Sequence, residues 1–220
     1  MKTNVLGFIT LIFVGCNSDN TQEKTNRLAA VDSTKTVASV VTYPAAPPTI
    51  SGGLKAIKAA DIPKHIPKGF IMKAFVQGNL NGDDIEDVLL VVENPANTAL
   101  PRSVLVLEGQ KDATLKVADV GAKAALCHDC GGMMGDPFQD AVILKDNTFQ
   151  LNFFGGSREK WVRSVDFQYD TNSKKWLLVR NEHHAYDNGN ADKPIHTLKT
   201  AADKGFVKMP LATFDVAEGQ

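Results

Sequence analysis

Between Ile71 and Val179 the apolar residues recur at every second position or in short solid runs, and each run ends in a polar turn. That spacing constrains the fold more than any other feature, because strand side chains alternate between faces whereas a helix needs a period near 3.6. Ile71, Lys73 and Phe75 alternate with Met72, Ala74 and Val76. Val88 to Val92 is almost continuously apolar, the pattern of a central strand covered on both faces. Ser103 to Leu107 repeats that character, and Leu115, Val117 and Ala118 follow more weakly. Ala141 to Leu144, the polar Lys145-Asp146-Asn147, and Phe149 to Phe154 read as a hairpin. Trp161, Val165, Phe167 and Tyr169 share one face, interrupted by Arg163, and Asp170 to Ser173 turns the chain into Trp176 to Val179. Successive strands joined by short polar turns pair antiparallel. The expectation is a mainly β fold: one antiparallel, meander-like domain built as a sheet, a barrel or a few-bladed propeller fragment. Ahead of it, Leu54 to Ile62 has loose helical spacing and Pro63 is its expected stop.

The chain before this domain changes character twice. Lys2 gives a basic start, Val5 to Gly15 is apolar, and a small residue precedes Cys16, the layout of a secretory signal. The apolar run is about half of the ~20 residues that a bilayer-spanning helix needs. From Asn17 to Pro48 the chain is rich in Asn, Thr, Ser, Asp, Lys and Ala and ends in Tyr43-Pro44-Ala45-Ala46-Pro47-Pro48. Such a composition cannot bury enough apolar surface to offset its ordering entropy, and its prolines favour an extended spacer. The division expected is 1–15 as signal peptide, 16–48 as anchor and flexible tether, and 49–220 as the globular β domain.

Phe13-Val14-Gly15-Cys16 resembles the lipobox of bacterial lipoproteins, a family that usually has Leu at the position of Phe13. The resemblance implies that Cys16 becomes the lipidated N-terminus and that the membrane is a partner through this anchor. It implies a bacterial cell-envelope location, with the domain in the periplasm or at the surface. An Asp after the cysteine favours inner-membrane retention in enteric members, so Asn17 points to the outer membrane instead.

With Cys16 assigned to the anchor, Cys127 and Cys130 remain as an even pair in an exported chain. Three readings stay open for Cys127-His128-Asp129-Cys130: a disulfide closing a glycine-rich turn, a thiol-redox site, or part of a zinc site completed by histidines such as His128 or His183-His184. Gly131, Gly132 and Pro137 oppose the helix a redox site would use, and zinc lacks a second cysteine pair. The net charge of -1 offers no basic stripe, so nucleic acid is not an expected partner.

The acidic stretch Gly78 to Asp87 leads into the most apolar strand and places oxygens at Asn79, Asn81, Asp83, the Ile85 carbonyl and Asp87. Calcium takes six to eight hard oxygen ligands, which a tight loop can supply at such spacing. Leu90 stands where an EF-hand would need its bidentate Glu, so that motif is excluded. The stretch resembles the calcium loop of FG-GAP and VCBS-type β repeats at Asn81, Gly82, Asp83 and Asp87, with Asn79 replacing the first Asp and Asp84 the second Gly. The resemblance implies a structural calcium ion, with Asp83→Ala destabilising only when calcium is present. A plain Asn-Gly turn is the alternative.

No catalytic set emerges: Gly-x-Ser-x-Gly, a phosphate-cradling loop and His-Glu-x-x-His are all absent. The functional expectation is therefore a non-enzymatic envelope lipoprotein acting as a binding or interaction module toward a protein or other envelope component. The competing expectation is an envelope enzyme or thiol-redox factor working through Cys127 and Cys130. His183 and His184, being adjacent in a strand, point to opposite faces, and Phe154 to Arg158 either forms an exposed loop or edges a ligand groove.

Overall fold

In the computed structural model, residues 54–187 and 190–218 are described. The signal segment 1–15, Cys16 and the tether 16–48 lie outside them.

Two antiparallel meanders make up the fold. The first orders its strands β1 (Ile71–Gly78), β2 (Asp87–Glu93), β3 (Arg102–Gly109) and β4 (Leu115–Ala125). The second runs β5 (Phe138–Ile143), β6 (Thr148–Gly156), β7 (Glu159–Asp170), β8 (Lys175–Asp187) and β9 (Asn190–Thr200). Every pairing is between sequence neighbours and antiparallel. The mainly β, meander-like expectation holds, and the form realised is two open sheets rather than a closed barrel.

The sheets pack through alternating side chains. Leu89, Val91, Val104 and Val106 join Phe149, Leu151, Phe153, Val165, Phe167 and Trp176 in one buried cluster. The intervening residues Val88, Leu90, Val92, Leu105 and Leu107 face the other way, under Ile62 and the flanking Ile57, Ile66 and Phe70. β2 is thus the doubly covered strand its unbroken apolar run implied. Trp176 Nε1 donates to the Leu80 carbonyl at 3.2 Å, giving a buried polar tip its partner across the core.

One local expectation changes. The Leu54–Ile62 segment is no α-helix: Lys55 bridges to Ile85, and a 3-10 helix spans Ala59–His65 with Pro63 inside it. A 3-10 helix is too short and loosely bonded for Pro63 to act as a stop. Asn190–Thr200 forms β9 although it carries too little apolar alternation to read as a strand. Backbone pairing to β8 sets it instead.

Candidate functional site

The acidic loop closes on itself through Asx turns. Asn79 Oδ1 accepts the Gly82 N–H at 2.6 Å, Asn81 Oδ1 the Asp83 N–H at 2.9 Å, and Asp83 Oδ1 the Ile85 N–H at 2.8 Å. Asn79 Nδ2 donates to the Asp83 carbonyl. Gly82 has φ +86, the left-handed conformation that a glycine adopts without strain, whereas Asp84 is not among the residues at positive φ. The family's second glycine is therefore not required at Asp84. Asp87 turns inward: fully buried, its two carboxylate oxygens accept the Leu80 N–H at 2.8 Å and the Gly109 N–H at 3.0 Å. Burial raises its pKa to about 6 against the lowering effect of those two donors.

The side-chain oxygens of Asn79, Asn81, Asp83 and Asp87 each accept backbone N–H groups. Among the described residues, the one group of three His, Cys, Asp or Glu ligand atoms within 4.8 Å of one another is Glu93, His128 and Asp136. No three of Asp83, Asp84, Glu86 and Asp87 meet that condition. Ile85, whose carbonyl is the fifth candidate ligand, donates its N–H to Asp83 Oδ1.

Cys127 and Cys130 form a disulfide with Cα atoms 5.1 Å apart. Cys127 is buried, whereas Cys130 sits on the exposed side of the turn. The helical turns over His128–Met134 are 3-10 in type and broken at Gly132. No α-helix begins at Cys127 to lower a thiol pKa, and with the sulfurs bonded to each other neither is a free metal ligand.

Beneath this loop lies an ionic cluster that the sequence does not announce. Arg102, at the start of β3, is fully buried. Its Nη1 and Nη2 donate to Asp136 Oδ1 and Oδ2, both at 2.8 Å, its Nε donates to Glu93 Oε2 at 2.7 Å, and Nη1 also reaches the Leu126 carbonyl at 3.2 Å. Lys73 Nζ donates to Asp136 Oδ2 at 2.6 Å, and His128 Nδ1 lies 3.4 Å from the same oxygen. Burial alone would raise the Asp136 pKa, but the Arg102 and Lys73 hydrogen bonds and the Phe138 N–H outweigh it and hold the carboxyl at about 2. The guanidinium already occupies the position a metal would take among Glu93, His128 and Asp136, so this trio is an arginine site.

Two concavities open on the surface. A groove of about 1120 Å³ runs between β1 and β5, walled by Ala74, Val76, Phe138, Ala141 and Ile143 among others, with Lys73 and Lys145 at its margins. A second, of about 710 Å³, lies between the glycine-rich turn and the β6–β7 hairpin end, lined by Met133, Gly156, Trp161 and His183. The segment Phe154 to Arg158 thus edges a groove, with Gly156 and Ser157 on its wall. His183 and His184 do point oppositely: His183 pairs with Arg163 on the inward face, and His184 with Val162, which is exposed. His184 Nε2 lies 3.3 Å from Glu182 Oε1.

No protein-family model, no curated protein and no solved structure matches this chain.

Proposed function

We propose that this chain is a non-enzymatic lipoprotein of the bacterial cell envelope, anchored through Cys16, whose β domain binds an extended segment of a partner protein between β1 and β5. The groove carries the reading. β1 and β5 are each the edge of their sheet, and among the described residues neither edge is hydrogen-bonded to a further strand, the two edges approaching each other where Gly78 meets Ile143. An open edge presents unpaired N–H and C=O groups, and strand addition is the binding mode that satisfies them. The apolar side chains of Ala74, Val76, Ala141 and Ile143 line the groove beside those edges, where alternate side chains of a guest strand would seat. Absence of a catalytic motif in the sequence supports a binding role. The loop Asn79–Asp87 serves this function by pinning the start of β2 through the Asp87 carboxylate.

The test uses the full chain carrying Cys16→Ala, which should leave the protein in the soluble fraction where the parent is membrane-bound. Peptides selected from a random display library on this protein should lose at least tenfold in affinity with Val142→Glu, which places a charge on an exposed groove residue. Binding indifferent to Val142→Glu, or no enrichment at all, would refute the groove. Membrane retention of Cys16→Ala would refute the anchor.

A further inference from the structure

We propose that the smaller groove is a binding site for a soft monovalent metal ion of the Cu(I) or Ag(I) class, ligated by the Met133 thioether and the His183 imidazole beside the indole face of Trp161. Met133 is 85% exposed, a large apolar side chain for which the fold supplies no packing. It sits on the disulfide-closed turn and lines the same cavity as His183 and Trp161. Trp161 and His183 stand on adjacent strands with ring centroids 6.3 Å apart and planes at 30°. Trp161 pairs with Ala185, so His183 is its diagonal neighbour on the inward face.

The approach of the turn to the hairpin is built in. A Cβ on Gly155 would lie 2.4 Å from the Trp161 ring and 3.0 Å from the Gly131 Cα, so only glycine lets these elements touch. Disulfide, glycine contact and cross-strand stack together hold one side of the cavity, while Met133 keeps three rotatable bonds with which to close on an ion.

Donor chemistry selects the ion. Thioether sulfur prefers Cu(I) and its soft congeners over hard cations, imidazole suits either, and a cation over an indole face gains electrostatic attraction. The charged groups on the cavity wall are Glu159 and Lys160, of opposite sign. Lys160 Nζ lies 2.8 Å from Met134 Sδ, which engages that second methionine and leaves Met133 as the ligand.

The experiment titrates Ag(I), and Cu(I) under anaerobic conditions, into the full chain carrying Cys16→Ser after assay shows no free thiol. One equivalent should quench Trp161 fluorescence and shift the Met133 methyl resonance. Met133→Leu and His183→Gln should each weaken binding at least tenfold, with Met133→Leu leaving the thermal midpoint unchanged because its side chain is exposed. No binding, binding that survives both substitutions, or binding that appears only after the disulfide is reduced would each overturn the site.

Discussion

Arg102 and Asp136 meet fork to fork, with two parallel hydrogen bonds of 2.8 Å joining the first residue of β3 to the end of the disulfide-closed turn. The pair sets position: a buried guanidinium fixes the turn through Asp136 and through the Leu126 carbonyl. A buried ion pair is a weak source of net stability, but removing one partner strands the other's charge and costs about 3–5 kcal/mol. Arg102→Ala should therefore lower unfolding free energy by roughly that amount. Arg102→Lys should recover only part of it, since an ammonium cannot bridge Asp136 in parallel and reach Glu93 as well. Urea melts of the two variants check this; an Arg102→Ala midpoint equal to the parent's would show that the cluster holds nothing in place.

The two perturbed carboxyls give the domain opposite responses to acid. Asp87, raised to about 6, binds a proton more readily folded than unfolded, so its contribution to stability falls as pH climbs from about 4 to about 6. Asp136, held at about 2, stabilises the fold above its ordinary carboxyl pKa and loses that contribution as pH falls from about 4 to about 2. A tenfold change in proton affinity is worth about 1.4 kcal/mol, so each carboxyl contributes a few kcal/mol at most. Stability should accordingly rise on acidification toward pH 4 and fall below it. Asp87→Asn should flatten the upper limb, at the cost of one backbone hydrogen bond. Thermal midpoints across pH 2–8 read both limbs, and a profile indifferent to Asp87→Asn would rule out its titration as the cause.

Strand content was legible in this chain because burial imposes period two on any half-covered strand, and Val88 to Val92 further announced a strand covered twice. Trp161, Val165 and Phe167 lie on the inward face that the alternation indicated, and Arg163 belongs there too, buried with Nη1 donating to the Val216 carbonyl at 2.6 Å. What the residues could not disclose was pairing across long separations. Nothing local in Arg102 or Asp136 marks them as partners, and the split into two sheets follows from the 3-10 turn after Ala125, not from any periodicity. β9 was hidden for a related reason, since its strand character comes from its neighbour's backbone.

The disulfide closes a loop between residues separated by three positions. On the chain-entropy argument such a bridge is worth about 2 kcal/mol, small because the loop is short. Cys127→Ser with Cys130→Ser should thus lower stability modestly and leave the fold intact. In the parent, neither cysteine should react with an alkylating reagent while the bridge is intact; after reduction in the folded state the exposed Cys130 should label, and the buried Cys127 only on unfolding. Rapid labelling after mild reduction, with a thiol pKa well below the ordinary range, would instead favour redox chemistry at this turn.

Asp83 separates a self-sufficient loop from one that needs calcium. Its Oδ1 accepts the Ile85 N–H, and its Oδ2 accepts Asn81 Nδ2 at 3.1 Å, so its carboxylate is already engaged in holding the turn. Losing such bonds at an exposed position costs about 0.5–1.5 kcal/mol each. Asp83→Ala should therefore destabilise the domain to the same extent in calcium and in chelator, in contrast to the metal-dependent loss that the FG-GAP resemblance implies. An ion bound at a hundred times its dissociation constant would stabilise the parent by about 2.7 kcal/mol, a clear displacement of the melting midpoint. Midpoints of parent and Asp83→Ala, each with calcium and with chelator, decide the matter. Equal midpoints for the parent in both conditions would show that the Asx turns suffice. A rise with calcium that Asp83→Ala abolishes would place the ion in the loop and show that these oxygens reorient from N–H donors to metal.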